Sequence, residues 1–517
     1  MSNLAARLSL LSADKLALLR SRLRAAGDGK ARTQIPRLSR DRDSFPLSFA
    51  QERLWFLHKL QPESTAYNIP EVYGFPGPLN VAALEQSLQE IIRRHEILRA
   101  RFVVQDGVPL QIIAAPEPMA LPVINLRQLA AEARQDALRR LVAQAAEVTF
   151  DLARGPLVQV TLVALGDAEH VLLVTMHHIV SDGWSMAVFA RELARIYDAY
   201  SAGRPSPLPD LALQYVDFAQ WQRQSLTGAV LETQLDYWKR QLAGAPAVLD
   251  LPTDRPRPPM QTFVGAQVPF AVPADVTNAL NTLARQEGAT QFMVLLAVFK
   301  VLLYRWSGQP DLVVGTLIAG RNRVEIEGLI GFFVNTLALR TDLSGNPGFH
   351  DLLRRVRLIT LEGFAHQDLP FEKLVGELRP ERRLSHHPLF QVLFALQNIG
   401  APLAPAPDPS AAVSAAGSQS ADTPPIGGRT AKFDVALFMS PSGSGLAGAF
   451  EYNIDLFDAA TMHRMAAHFV ALLGGIAAAP DHHILDLPLD AVQAVDRGGH
   501  LCHRLVDTFD FERPPSA

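Results

Sequence analysis

Val171-Leu-Leu-Val-Thr-Met176, followed by His177-His178-Ile179-Val180-Ser181-Asp182-Gly183, is the stretch on which the fold turns. The first six residues are unbroken apolar or β-branched chain, the pattern of a strand buried on both faces. Residues Ser185 to Tyr200 then carry helical periodicity, so the segment reads strand, turn, helix. Strand ends of this kind collect reactive groups, because the scaffold is rigid and the loop accessible. Side chains alternate along a strand, so His177 and His178 are expected on opposite sides and at most one of them faces a given channel. Gly183 is expected to permit a turn closed to other residues. Asp182, four residues after His178, is placed to fix that turn by pairing with an arginine.

Four readings of the turn compete. A histidine pair satisfied within the structure is the usual meaning of a His-His dipeptide. A metal site needs a third ligand at sensible spacing, and none is local. A Ser-His-Asp triad lacks its G-x-S-x-G elbow, and Ser181 has no identifiable base. The fourth is a histidine serving acyl transfer, with Asp182 as its structural partner.

Working outward, Leu8, Leu11, Leu16, Leu19 and Leu23 mark an amphipathic helix over 5–25, with a polar linker from Gly27 to Ser44. Helical periodicity returns in Phe49–Leu60 and in Val81–Phe102. The Pro-rich run Leu251–Pro259 is a natural boundary between two halves. Beyond it Ala266–Val272 reads as an edge strand, since Pro269 cannot donate to a ladder. Leu312–Leu317, Phe433–Met439 and Leu446–Tyr452 also read as strands. Helices are expected at Val276–Glu287, Thr290–Trp306 and Ala459–Ala478. Residues Ala401 to Gly428, nearly all Ala, Pro, Ser, Gly and Asp, offer little to bury and read as a flexible insertion. Alternating strands and helices in both halves give an α/β class with two lobes. The expected divisions are 1–44, helix and linker; 45–250, first lobe; 251–488, second lobe; and 489–517, tail.

Length and composition agree. The 517 residues suffice for more than one core, and 48% hydrophobic against 19% charged residues argue against general disorder. A net charge of −4 gives no electrostatic reason for nucleic-acid binding. The single cysteine, Cys502, excludes an internal disulfide and a Cys-based zinc cluster. Arg7, Asp14, Lys15, Arg20 and Arg22 among the first leucines are unlike a signal peptide, and Phe292–Trp306 is too short to span a bilayer. A cytoplasmic protein is expected. Gly443-Ser-Gly445-Leu-Ala-Gly448 matches G-x-G-x-x-G without a following helix and reads as a turn between strands.

HHIVSDG resembles the His-His-x-x-x-Asp-Gly signature of nonribosomal peptide synthetase condensation domains, which share the chloramphenicol acetyltransferase-like fold. Six further segments resemble that family's motifs in order: Ser48–Leu57 (SFAQERLWFL), Arg94–Phe102 (RHEILRARF), Tyr215–Gln222 (YVDFAQWQ), Ile330–Arg340 (IGFFVNTLALR), His366–Val375 (HQDLPFEKLV) and His386–Phe394 (HHPLFQVLF). His386 stands where the family usually has an arginine. The resemblance implies two chloramphenicol acetyltransferase-like lobes in a V-shaped pseudo-dimer, with His178 midway along a tunnel open at both ends. It implies a salt bridge from Asp182 to a later arginine, best matched by Arg321 in GTLIAGRNR, and a channel including Trp184 and Ser185.

Asn335, polar amid FFVNTL, either caps a turn or faces a cavity. Trp55, Phe102, Trp221, Phe332 and Phe333 are expected in the core. Arg354, Arg355 and Arg357 form a cationic helical face that is either merely solvated or receives an acidic carrier protein.

The implied reaction joins a donor acyl thioester to an acceptor amine, both tethered to phosphopantetheine on partner carriers, upstream and downstream. No cofactor, metal, nucleic acid or membrane is implied for this chain. Leu501 replaces a carrier serine in Gly498-Gly499-His500, and Leu501–Ala517 resembles the start of an adenylation domain. His178 either accepts the amine's proton, given an amine near about 8 and an imidazole near about 6.5, or orients the intermediate. Asp182-Gly183-Trp184-Ser185 resembles the type that accepts an L-configured donor end. The rivals are a starter-type N-acylating domain and an inactive domain that recruits partner enzymes.

Overall fold

The computed structural model describes residues 34–379, 385–397, 414–415 and 430–489. The expected helix over 5–25, the insertion 401–428 apart from Ser414–Ala415, and the tail beyond Leu489 lie outside the described residues. Two sheets carry the architecture. The first takes β2 (Asn68–Pro76), β5 (Val123–Asn125), β6 (Val158–Gly166), β7 (Glu169–His177) and the short β12 (Ser414–Ala415), in the order β12-β2-β7-β6-β5. A small sheet of β1 (Ser44–Pro46), β4 (Val108–Ile113) and β3 (Ala100–Gln105) stands beside it. The second large sheet runs β10 (Asn335–Asp342), β9 (Asp311–Ile318), β11 (Val392–Leu396), β13 (Val435–Ser442), β14 (Gly445–Asn453), β8 (Gly265–Val272). Both are mixed: β5 runs parallel to β6, β11 runs parallel to β9 and β13, and the other pairings are antiparallel.

The longer helices of the first half are α1 (Phe49–Leu60), α2 (Val81–Arg94), α3 (Ala131–Ala146), α4 (Gly183–Ser201), α5 (Tyr215–Ser225) and α6 (Gly228–Leu242). Those of the second half are α7 (Ala274–Gln286), α8 (Gln291–Ser307), α9 (Phe349–Ala365), α10 (Phe371–Leu378) and α11 (Ala459–Ala478).

β7 shows why its sequence reads as it does. Leu172, Val174 and Met176 enter the first lobe's main core, under α4. Val171 and Leu173 enter a smaller core that Leu138, Leu141 and Val142 of α3 close from the other side. Two helix-covered faces demand apolar residues at every position. In the second lobe α8 is buried along its length from Met293 to Leu303, which explains a membrane-like composition in a core helix. No single described helix is long and apolar enough to cross a membrane. β8, with Pro269, is the sheet's edge, and Gly443 (φ +55°) turns the β13–β14 hairpin.

Two sequence expectations are corrected. The helix α2 stops at Arg94 rather than running to Phe102; His95 leaves helical geometry, and Phe102 lies in β3. A tertiary contact decides this: His95 Nε2 is 3.0 Å from buried Glu192, and its Nδ1 accepts the Ile330 N–H at 3.2 Å. The boundary at Leu251–Pro259 does not divide the cores. Leu235, Tyr237, Trp238 and Leu242 of the preceding helix α6 belong to the second core. Conversely, residues 321–333, between β9 and β10, send Ile326, Leu329, Ile330 and Phe333 into the first core. This strap from the second lobe is what positions the site.

Candidate active site

β7 ends at His177, and a short 3-10 turn, His178–Val180, leads to α4. His177 is 3% exposed, with its ring near His58 and Phe150. Its Nδ1 accepts the Ile179 N–H at 3.1 Å, so it builds the turn. Burial, then His58 and Lys432, hold its pKa down at about 3, and it stays neutral.

His178 points the other way. Its backbone N–H donates to the Tyr67 carbonyl at 2.7 Å, and its carbonyl accepts from Ser181 at 3.2 Å. Ring Nδ1 lies 3.2 Å from the Ser181 carbonyl, a bond that only an Nδ1–H can make. Nε2 is then left with its lone pair. The ring is half-buried between Phe332 (5.5 Å between centroids) and Tyr67 (6.4 Å). Burial, followed by Lys432 and His177, pushes its pKa well below the usual histidine range, while the Ser181 bond opposes the shift. A neutral imidazole with one free nitrogen can accept a proton or a hydrogen bond.

Asp182 is fully buried and caps α4, accepting the Ser185 N–H at 2.8 Å. The same carboxylate takes Arg321 Nη2 at 3.2 Å and the Phe333 N–H at 2.9 Å. Arg321 also donates to the Ile326 and Leu329 carbonyls, each at 2.7 Å, and its guanidinium lies 4.0 Å over the Phe333 ring. The pair thus ties the end of the His178 turn to the strap.

Four residues expected at the turn or along the channel take the following places, and for Asn335 the turn-holding alternative is the one seen. Ser185 is buried, donates to the Gly331 carbonyl at 2.8 Å and accepts from Gly331 N–H and Arg321 Nη2, so it is a latch on the strap. Asn335 grips the Gln367 and Leu369 carbonyls at 3.0 and 2.8 Å and accepts the Phe371 N–H, which makes it a clamp on a chain turn. Gly183 is an exposed first residue of α4 and is not among the positive-φ glycines, so no special backbone conformation requires it. Trp184 Nε1 donates to the Glu327 carbonyl at 2.9 Å, again on the strap.

The other motifs prove to be supports. Gln51 of α1 donates to the Ile179 carbonyl at 3.1 Å, one residue past His178. Tyr215, first residue of α5, donates to the Phe332 carbonyl at 2.6 Å and meets Ser48 Oγ at 2.8 Å. Arg53 contacts Glu372 Oε1 at 3.3 Å and His387 Nε2 at 3.1 Å, which joins three motifs from both lobes. Of the aromatics read as core, Phe102 and Phe333 are buried, whereas Phe332 lines the His178 site. The doublet Phe332-Phe333 in extended chain was the available signal, since neighbours there point to opposite sides. Tyr67 and Lys432 carried no such signal.

The expected cationic face, on α9, is not free charge. Arg354 meets Asp351 and Glu287 at 2.8 and 3.4 Å, and Arg355 and Arg357 donate to the Asp342 and Gly288 carbonyls. Among the described residues no group of three or more His, Cys, Asp or Glu could hold a metal ion.

The family model for the condensation domain matches residues 41–492. The chain is 49% identical over 466 residues to a linear gramicidin synthase of Brevibacillus parabrevis, covering 88% of this chain and 6% of that protein. It is 42% identical to phosphinothricin tripeptide synthetase PhsC of Streptomyces viridochromogenes, covering 95% of this chain and 44% of that one. It therefore spans a small part of the length of its curated relatives. Among solved structures, the X-domain from teicoplanin biosynthesis matches with a TM-score of 0.78 and 31% identity, over 88% of this chain and 100% of that chain.

Proposed function

This chain belongs to the condensation-domain family of peptide synthetases, whose role is peptide-bond formation, and on that footing we propose that His178 serves the reaction. The donor is an acyl or peptidyl thioester on an upstream carrier, and the acceptor an aminoacyl group on a downstream carrier. Substrates ride on phosphopantetheine of those partners, and an adjacent adenylation domain is a further neighbour in this reading. The observation that carries it is the state of His178: neutral, fixed through Nδ1, with Nε2 free beside Phe332 at the junction of two lobes.

The step balances simply. The amine nitrogen bonds to the thioester carbon, the C–S bond breaks, and the proton lost by nitrogen ends on the departing thiol. Nε2 can take that proton or hold the attacking N–H in line. Holding tethered reactants in near-attack geometry supplies about 7–11 kcal/mol in such reactions, so positioning is the larger share. The depressed pKa favours an imidazole that orients the amine and hands the proton on at once. His177, Asp182 and Arg321 support the turn. The Asp-Gly-Trp-Ser sequence at 182–185 supports an L-configured donor.

Loaded carriers incubated with the protein should show acyl transfer by intact mass spectrometry. His178→Ala should slow it by about 10²- to 10⁴-fold. Turnover near wild type in that variant would remove the proposal. A second reading is recruitment of a partner enzyme, favoured by likeness to the teicoplanin X-domain, which is also known in a complex with OxyB. No transfer with any loaded carrier, together with stable capture of an enzyme, would favour it.

A further inference from the structure

Among the described residues three cationic side chains stand close to the His178 site, and two of them are occupied. Arg321 is spent on Asp182, Ser185 and two carbonyls, and Arg53 on Glu372 and His387. The third is Lys432, just ahead of β13 in the second lobe. Its backbone is pinned: the carbonyl accepts Gln261 Nε2 at 3.0 Å, and neighbouring Ala431 donates to the Phe263 carbonyl at 2.8 Å. Its side chain reaches across to the first lobe, where Nζ lies 4.7 Å over the Tyr67 ring. Tyr67 in turn meets His178 edge-on at 6.4 Å, and its carbonyl accepts the His178 backbone N–H. Among the described residues no carboxylate lies within ion-pair distance of Nζ. The nearby Glu451 side chain takes the Lys432 backbone N–H and Gln267 Nε2 instead.

A half-buried ammonium whose nearest carboxylate, Glu451, acts only at a distance gains from any closer negative charge that arrives. In amide formation something does. When the amine nitrogen bonds to the thioester carbon, the carbonyl π pair moves onto oxygen; when the intermediate collapses, that pair re-forms C=O and the C–S pair leaves with sulfur. Among the described residues the other two cations at the site, Arg53 and Arg321, are already engaged, and His178 Nδ1 is committed to Ser181. Resting on the acyl-transfer reading above, we propose that Lys432 is a positioning residue whose charge, set across Tyr67, stabilises the oxyanion of the tetrahedral intermediate. Its field acts in a partly dry site and so is screened weakly.

The protonated form is the active one. Burial holds the Lys432 pKa down at about 8, against Glu451, which raises it. Its contribution is therefore complete at lower pH and lost as pH rises through about 8. Around it stand Glu451 from β14, Arg53 from α1, Tyr67, His177 and His178. These, and the acceptor amine, are common to wild type and variants, so the profile is read as a ratio.

The test uses the whole chain with an acyl-N-acetylcysteamine thioester donor and a carrier-bound aminoacyl acceptor. Lys432→Met should lower kcat by about 10- to 100-fold, less than the 10²–10³ of a donor in direct contact. Lys432→Arg should keep the rate at neutral pH, and its ratio to wild type should climb above pH about 8, because arginine stays charged. A flat ratio, or a Lys432→Met rate equal to wild type while His178→Ala is dead, would overturn the role of Lys432 and leave that of His178. An active His178→Ala would overturn both. Should Lys432→Met fail to fold, the arginine profile alone decides.

Discussion

Removing the Asp182 carboxylate tests the central joint of the molecule. Asp182→Ala deletes three bonds at once: the cap on Ser185 N–H, the contact to Phe333 N–H and the ion pair to Arg321. The side chains of the pair are 0% and 1% exposed, so water cannot replace the lost partner. Stranding one member of a buried pair costs about 3–5 kcal/mol, and a lost helix cap alone about 1 kcal/mol. Arg321 keeps the Ile326 and Leu329 carbonyls and Ser185 Oγ, which pulls the expected cost toward the lower end, about 3 kcal/mol. Urea unfolding followed by fluorescence measures it directly. Adding Arg321→Met to Asp182→Ala should recover part of the loss, because no uncompensated charge then remains; a coupling of about 0.5–3 kcal/mol is the usual range for touching residues. An Asp182→Ala protein that unfolds at the wild-type urea midpoint would refute the reasoning. Wild-type stability combined with abolished transfer would assign Asp182 to the chemistry itself.

Lys300 is fully buried in α8, donating to the Leu339 carbonyl and Thr341 Oγ1, and burial lowers its pKa to about 7. The folded state then binds fewer protons than the unfolded between pH about 7 and 10.5, so wild-type stability should rise with pH there by up to about 1.4 kcal/mol per unit relative to Lys300→Met; parallel stability curves would remove the claim. Gly331 leaves no room for a side chain, since a Cβ would overlap the Tyr215 ring. Gly331→Ala should cost about 1–3 kcal/mol and lower turnover as Tyr215 loses its hold on the Phe332 carbonyl, whereas unchanged melting and rate would show that the strap has slack.

The sequence by itself determined whatever depends on near neighbours. Alternation along β7 put His177 and His178 on opposite sides, and two-sided burial of that strand made its composition continuous. Proline placed β8 at an edge, and the motifs named the family and brought Arg321 to Asp182. Only the tertiary structure decided the functions of residues whose partners are remote in the chain. Ser185 reads as channel until Gly331 arrives 146 positions later, and Asn335 reads as ambiguous until the turn before α10 closes on it. Arg354 reads as free charge until Glu287 of another segment meets it. His95 ends a helix that its own periodicity would have continued, because Glu192 and Ile330 hold its ring. Local propensity fixes periodicity and caps at a few tenths to about 1 kcal/mol per residue. Buried ion pairs and shared cores act between residues that only folding brings together, and their larger energies override it.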